Sequence, residues 1–101
     1  MKSEMFGVVF RGSIRIPAEG EYSFALGSDD GSRLFIDGKI VVVNDSIHGM
    51  IEKTGSVRLG EGKHPILIEF FDNHWNEALS LSIQGPALPT QPVPLAFLFR
   101  R

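Results

Sequence analysis

This 101-residue chain predicts an all-β fold, an antiparallel β-sandwich or barrel in a single domain. Three observations predict it. Apolar residues alternate with polar ones over short runs that recur about every eight to twelve residues. Gly, Pro and one Asp-Gly pair punctuate those runs as turns. No stretch of about ten residues or more holds apolar positions at the 3.6-residue period of an amphipathic helix.

The first run, Phe6 to Ile16, carries Val8, Phe10, Ile14 and Ile16, and Gly12 interrupts it, so a bend or bulge is expected near Gly12. Pro17-Ala18-Glu19-Gly20 reads as a turn. Glu21 to Leu26 sets Tyr22, Phe24 and Leu26 on one face, the pattern of a half-buried strand. Leu34 and Ile36 alternate in the next run, Asp37-Gly38 interrupts, and Ile40 to Val43 resumes. Asp and Gly both tolerate positive φ, which a type I′ hairpin turn requires. A polar connection, Asn44 to Met50, leads to a strand from Glu52 to Leu59 with Val57 and Leu59 inward. Gly60 to Lys63 is a turn. His64 to Phe71 is apolar at both parities, so a central strand covered on both sides is expected. A second polar loop, Asp72 to Glu77, precedes the alternating run Ala78 to Ile83. Residues 85–101 form a proline-rich tail, expected to pack on the sandwich, with Pro86, Pro89, Pro92 and Pro94 barring a helix or a central strand there. Leu95 to Phe99 is expected as a short edge element, with Phe97 and Phe99 exposed as a contact.

The bulk properties narrow the function. Hydrophobic residues make up 43% of the chain, enough for one modest core. Net charge is −2 with both signs interspersed, unlike the basic stripe of a nucleic-acid binder. No apolar run reaches membrane-spanning length, and Met1-Lys2-Ser3-Glu4 does not lead into the apolar segment of a secretory signal. The chain holds no cysteine, which removes disulfides, thiolate catalysis and Cys-zinc sites.

Catalytic signatures are absent as well. There is no Gly-x-Ser-x-Gly or His-Glu-x-x-His, no Gly-rich loop opening a helix, and no EF-hand spacing. His48, His64 and His74 fall in or beside different loops, and His64 reads as structural or solvated. Glycosidases set two carboxyl groups about 5 to 9 Å apart across a substrate, and the chain neighbours Asp29 and Asp30 fit that poorly. A non-catalytic chain is expected.

Asp29 and Asp30 are nevertheless the most informative pair. They sit in the polar stretch Ser28-Asp29-Asp30-Gly31, where two adjacent acids repel each other. Either a bound cation or plain solvation offsets that repulsion. Calcium takes six to eight oxygens, and Asp72 and Asn73 in the second polar loop are candidates to complete such a shell. An ion short of ligands can accept vicinal sugar hydroxyls. Trp75, the sole tryptophan, lies among polar neighbours and is either a stacking surface for a sugar ring or a plug for the sandwich end.

Several segments together resemble a known family: Phe10-Arg11-Gly12, Ile16-Pro17, Gly20-Glu21-Tyr22-Ser23-Phe24, Ser28-Asp29-Asp30-Gly31-Ser32-Arg33-Leu34-Phe35-Ile36-Asp37-Gly38, His48-Gly49, Gly62-Lys63-His64-Pro65-Ile66 and Gly85-Pro86. They resemble the PA-14 domain, named for the protective antigen of anthrax toxin, over nearly the whole chain. The family usually begins with a further N-terminal segment, so this chain reads as a short variant or a trimmed piece.

The resemblance implies a β-sandwich module accessory to secreted or surface proteins such as glycosidases, toxins, adhesins and flocculins. It implies an extracellular, cell-surface or periplasmic setting within a larger multidomain protein. In the flocculin branch, adjacent Asp residues joined by a cis peptide hold calcium and bind carbohydrate through it. By similarity these are Asp29 and Asp30, with Asp72 at the position of a later-loop Asn and Asn73 beside it. The expectation is therefore a carbohydrate-binding module. Its metal residues would be Asp29, Asp30, Asp72 and Asn73, its sugar contacts Asp29, Asp30, Asn73 and Trp75, and its partner a glycan or polysaccharide. The alternative is a structural or protein-interaction sandwich in which the Asp pair only organises its turn.

Overall fold

The computed structural model describes residues 6–28, 31–44, 51–71 and 79–100. Nine strands follow in order among them: β1 (Phe6–Ile16), β2 (Gly20–Ser28), β3 (Ser32–Ile36), β4 (Lys39–Asn44), β5 (Ile51–Leu59), β6 (Gly62–Phe71), β7 (Leu79–Gly85), β8 (Leu88–Pro92) and β9 (Leu98–Arg100). A single 3₁₀ turn, Leu95–Phe97, precedes β9. The strands form two antiparallel sheets, ordered β4-β3-β6-β1-β9 and β5-β2-β7-β8. No strand pairing joins the two sheets among the described residues, so the fold is a sandwich rather than a closed barrel.

The alternation read from the sequence decides which side chains lie between the sheets. Tyr22, Phe24 and Leu26 of β2 face Ile14 and Ile16 of β1, Leu34 and Ile36 of β3, and Ile66 and Ile68 of β6, all buried. Val42, Leu59 and Ile83 complete this core. Burying each such side chain contributes about 1.5–3 kcal/mol. Tyr22 carries its one polar atom out of the core by donating to the Ala18 carbonyl at 2.6 Å, which also fixes the β1–β2 turn.

Two turn and strand features follow from backbone chemistry. Asp37 and Gly38 have φ of 57° and 77°, the left-handed pair a type I′ hairpin needs. Pro65 stands within β6, flanked by β3 and β1. A proline there removes a ladder donor, but the last β3–β6 pair is Ile36 with Ile66. Beyond it only the Asp37 N–H reaches back, donating to the Pro65 carbonyl at 3.0 Å. Pro65 therefore lacks its N–H where β3 has already turned away.

Several sequence expectations are corrected. The irregularity in β1 falls between Val8 and Phe10, not at Gly12. Gly12 is required instead by close approach, since a Cβ there would lie 2.0 Å from the Phe99 carbonyl oxygen of β9. A second irregularity, between Leu34 and Phe35, displaces Val41 from pairing in β4. β6 is central laterally, but among the described residues it is covered on one face only. Ile66 and Ile68 are buried, whereas Pro65 is exposed and Leu67 and Glu69 are half-buried on the outer face. The proline-rich tail packs on the sandwich through edge strands, which its prolines allow. β8 pairs with β7 at one edge of one sheet, and β9 pairs with β1 at the edge of the other. Phe97 packs against the core rather than standing exposed, while Phe99 is exposed.

Candidate functional site

The chain crosses between the sheets three times at one end of the sandwich, and strand register shows it. Ser28, the last residue of β2, pairs with Ile51 at the start of β5 and with Leu79 at the start of β7. Ser32, the first residue of β3, pairs with Asn44 at the end of β4 and with Phe70 near the end of β6. The segments 29–30, 45–50 and 72–78 are therefore all rooted at this one end. They carry Asp29 and Asp30, then His48, then Asp72, Asn73 and Trp75. Those residues, the Asp29–Asp30 peptide and the side-chain contacts expected of them lie outside the described residues.

The floor beneath these segments is described, and it is polar. Ser28, Ser32 and Asn44 each have 0% exposure. Burying a hydroxyl or an amide costs free energy unless it is hydrogen-bonded. Here the Ser28 and Ser32 hydroxyls lie 2.7 Å apart, and Asn44 Nδ2 donates to the Leu26 carbonyl at 3.2 Å. Both bonds span the two sheets, because Leu26 and Ser28 belong to one and Ser32 and Asn44 to the other. They tie together the residues on either side of Asp29-Asp30. This floor was missed in the sequence, although strand parity carried a signal for it. Ser28 continues the inward series Tyr22, Phe24, Leu26; Ser32 precedes the inward Leu34 and Ile36; Asn44 follows the inward Val42.

The opposite end of the sandwich holds the one described histidine contact. His64 Nδ1 lies 2.9 Å from an Asp37 carboxylate oxygen, and its Nε2 lies 2.7 Å from the Gly60 carbonyl oxygen. Burial alone would lower the His64 pKa, but the Gly60 carbonyl and the Asp37 carboxylate outweigh it and raise the value. This pair fastens the β3–β4 turn to the β5–β6 turn. Of the two roles read from the sequence for His64, structural or solvated, the contact fits the structural one. Among the described residues, no group of three or more His, Cys, Asp or Glu side chains is placed to hold a metal ion. The shallow depressions that the described residues line lie on the outer sheet faces, at Ser23 and Gln84 on one side and at Phe35 and Leu67 on the other.

The PA14 domain family model matches residues 1–93. No curated protein matches the chain. Among solved structures, an anti-sigma factor domain-containing protein superposes with a TM-score of 0.83 at 22% identity, over 90% of this chain and 32% of that one. A PA14 sugar-binding domain from an RTX adhesin superposes with a TM-score of 0.69 at 23% identity, over 88% and 48%. The GH31 alpha-xylosidase from Xanthomonas citri contains a similar fold, with a TM-score of 0.59 at 24% identity over 86% of this chain and 9% of that enzyme. The chain thus spans about a third of the first of these structures. At these identities the likeness establishes the fold.

Proposed function

The chain belongs to the PA14 domain family, and from that premise we propose that it is a non-catalytic carbohydrate-binding module that holds its glycan through calcium. The observation that carries the reading is the register of Ser28 and Ser32, which roots three polar loop segments at one end of the sandwich. A PA14 sugar-binding domain of an adhesin shares the fold. Asp29 and Asp30 would supply carboxylate oxygens to the ion, and Asp72 and Asn73 would add to them. These are the hard oxygen donors that calcium prefers. Trp75 would offer a ring face to the sugar. Calcium, when bound, would draw sugar hydroxyls into its coordination shell.

Accessory service within a larger adhesin or glycosidase, outside the cell, fits the fold neighbours. They include an RTX adhesin and a GH31 alpha-xylosidase, and the matched unit is about half of the first chain, at 48%, and 9% of the second. No described helix is long and apolar enough to cross a membrane. The test is a glycan array probed with and without a calcium chelator. Glycan binding that disappears with the chelator supports the reading, and binding indifferent to it removes the metal.

One observation favours the second reading, a structural or protein-interaction module. The Ser28 and Ser32 hydroxyls, 2.7 Å apart, already join the two strands that flank Asp29 and Asp30 in the chain. Under that reading, saturating calcium leaves the melting temperature unchanged.

A further inference from the structure

The two outer faces of the sandwich differ in chemistry. The outer face of the β5-β2-β7-β8 sheet presents small polar side chains such as Ser23, Thr54, Ser56 and Gln84, as a water-facing sheet should. The outer face of the β4-β3-β6-β1-β9 sheet does not. One rung across it runs Ile40, Phe35, Leu67, Arg11, because Phe35 pairs with both Ile40 and Leu67, and Leu67 pairs with Arg11. Ile40 is 50% exposed and the nearby Val43 is 45% exposed. A shallow depression of about 280 Å³ opens beside this rung, lined in part by Phe35, Pro65, Leu67 and Arg11. The band thus joins the exposed Ile40 and Val43 to the half-buried Phe35 and Leu67, and apolar side chains gathered on one outer face are where contact regions form.

The charges around the band are mostly basic. Arg11 and Arg15 of β1 project from this face at exposed positions, and Lys63 lies 3.9 Å from the centre of the exposed Phe99 ring. Glu69 is the one carboxylate on the sheet face among the described residues. The chain as a whole is net acidic, at −2, so this basic rim is a local segregation of charge.

We propose that this face docks a protein surface with an apolar centre and an acidic rim, independently of any glycan at the loop end. Three considerations select that partner. Phe35 is half-buried between Ile40 and Leu67, and the exposed part of the centre is the aliphatic Ile40 and Val43, which offer a sugar neither a flat ring nor a hydrogen bond. A second copy docked by the same face would bring the basic set Arg11, Arg15 and Lys63 close to the same basic set, which like-charge repulsion opposes. An apolar centre with a charged rim is the anatomy of a protein interface, and complementary charge speeds and orients docking.

The experiment uses the whole chain against displayed 12-residue peptides, in one library rich in Asp, Glu and aliphatic residues and a matched library with Lys in place of the acids. Dextran sulfate, vesicles of phosphatidylcholine and phosphatidylserine, and light scattering of the chain alone are run beside it. The expected result is enrichment from the acidic library only. Affinity then falls about tenfold or more both in Arg11→Glu/Arg15→Glu and in Ile40→Ser, and it weakens with added salt. Ile40 is half exposed, so its replacement leaves the core intact, and an unchanged melting temperature verifies this. Four results would overturn the proposal. They are no enrichment, binders indifferent to either variant, dextran sulfate or vesicle binding that needs the arginines but not Ile40, and a dimer that Ile40→Ser dissociates.

Discussion

His64 grips the carboxylate of Asp37 at 2.9 Å with Nδ1 while its other ring nitrogen faces the Gly60 carbonyl at 2.7 Å. Both partners are acceptors, so both ring nitrogens must donate, and only the imidazolium does that. The bonds therefore hold best when His64 is charged, in keeping with its raised pKa. A group whose folded pKa is raised stabilises the protein fully below its unfolded value, about 6.5, and loses that contribution as pH rises through the folded value. The stability difference between the parent protein and His64→Ala is expected to be larger at pH 5.5 than at pH 8.5, by urea unfolding. A difference that grows toward alkaline pH would contradict the imidazolium assignment.

The Ser28–Ser32 contact makes a second prediction. Ser28→Ala leaves the Ser32 hydroxyl without that partner in a site with 0% exposure. Stranding a buried polar group costs about 1–3 kcal/mol. The double change Ser28→Ala with Ser32→Ala removes both hydroxyls and is expected to cost less than the sum of the single changes. Denaturant midpoints of the three variants measure this coupling, and strict additivity would show that the two hydroxyls act independently.

Gly55 makes a third. It lies in β5 opposite Phe24, and a Cβ built there would be 2.0 Å from the Val41 carbonyl oxygen of β4. This is where edge strands of the two sheets touch, and the atom in the way is backbone. Gly55→Ala is expected to lower stability by about 1–3 kcal/mol, the usual range for overpacking. Gly60→Ala is the control, because nothing lies within 4 Å of a Cβ there. Equal melting temperatures for the two variants would disprove the close approach.

The metal proposal gives a fourth. An ion that binds only the folded state raises stability by about 2.7 kcal/mol at one hundred times its dissociation constant. Calcium titration should raise the melting temperature of the parent chain and leave Asp30→Ala unmoved. Equal response in both would remove Asp30 from the ion's shell, and no response in either would leave the interaction-module reading.

The sequence by itself determined the sheet-forming segments, because side-chain parity is local: Tyr22, Phe24, Leu26, Leu34 and Ile36 face inward as their alternation requires. It also determined the Asp37-Gly38 turn, since positive φ is a property of those residues. The family likewise was legible there, in the Ser-Asp-Asp-Gly and Ile-Asp-Gly segments. Tertiary structure alone decided what depends on pairing between distant strands. Ser28 opposite Ile51 and Leu79, and Ser32 opposite Asn44 and Phe70, root three loop segments together, and no local pattern encodes that register. The role of Gly12 is not local for the same reason, because the constraint comes from Phe99, far along the chain. Both faces of β6 are apolar in sequence, but only the sheet order shows that one of them meets no other layer among the described residues. Local sterics and periodicity act over a few residues, whereas register and layer contact are set by how the whole core closes.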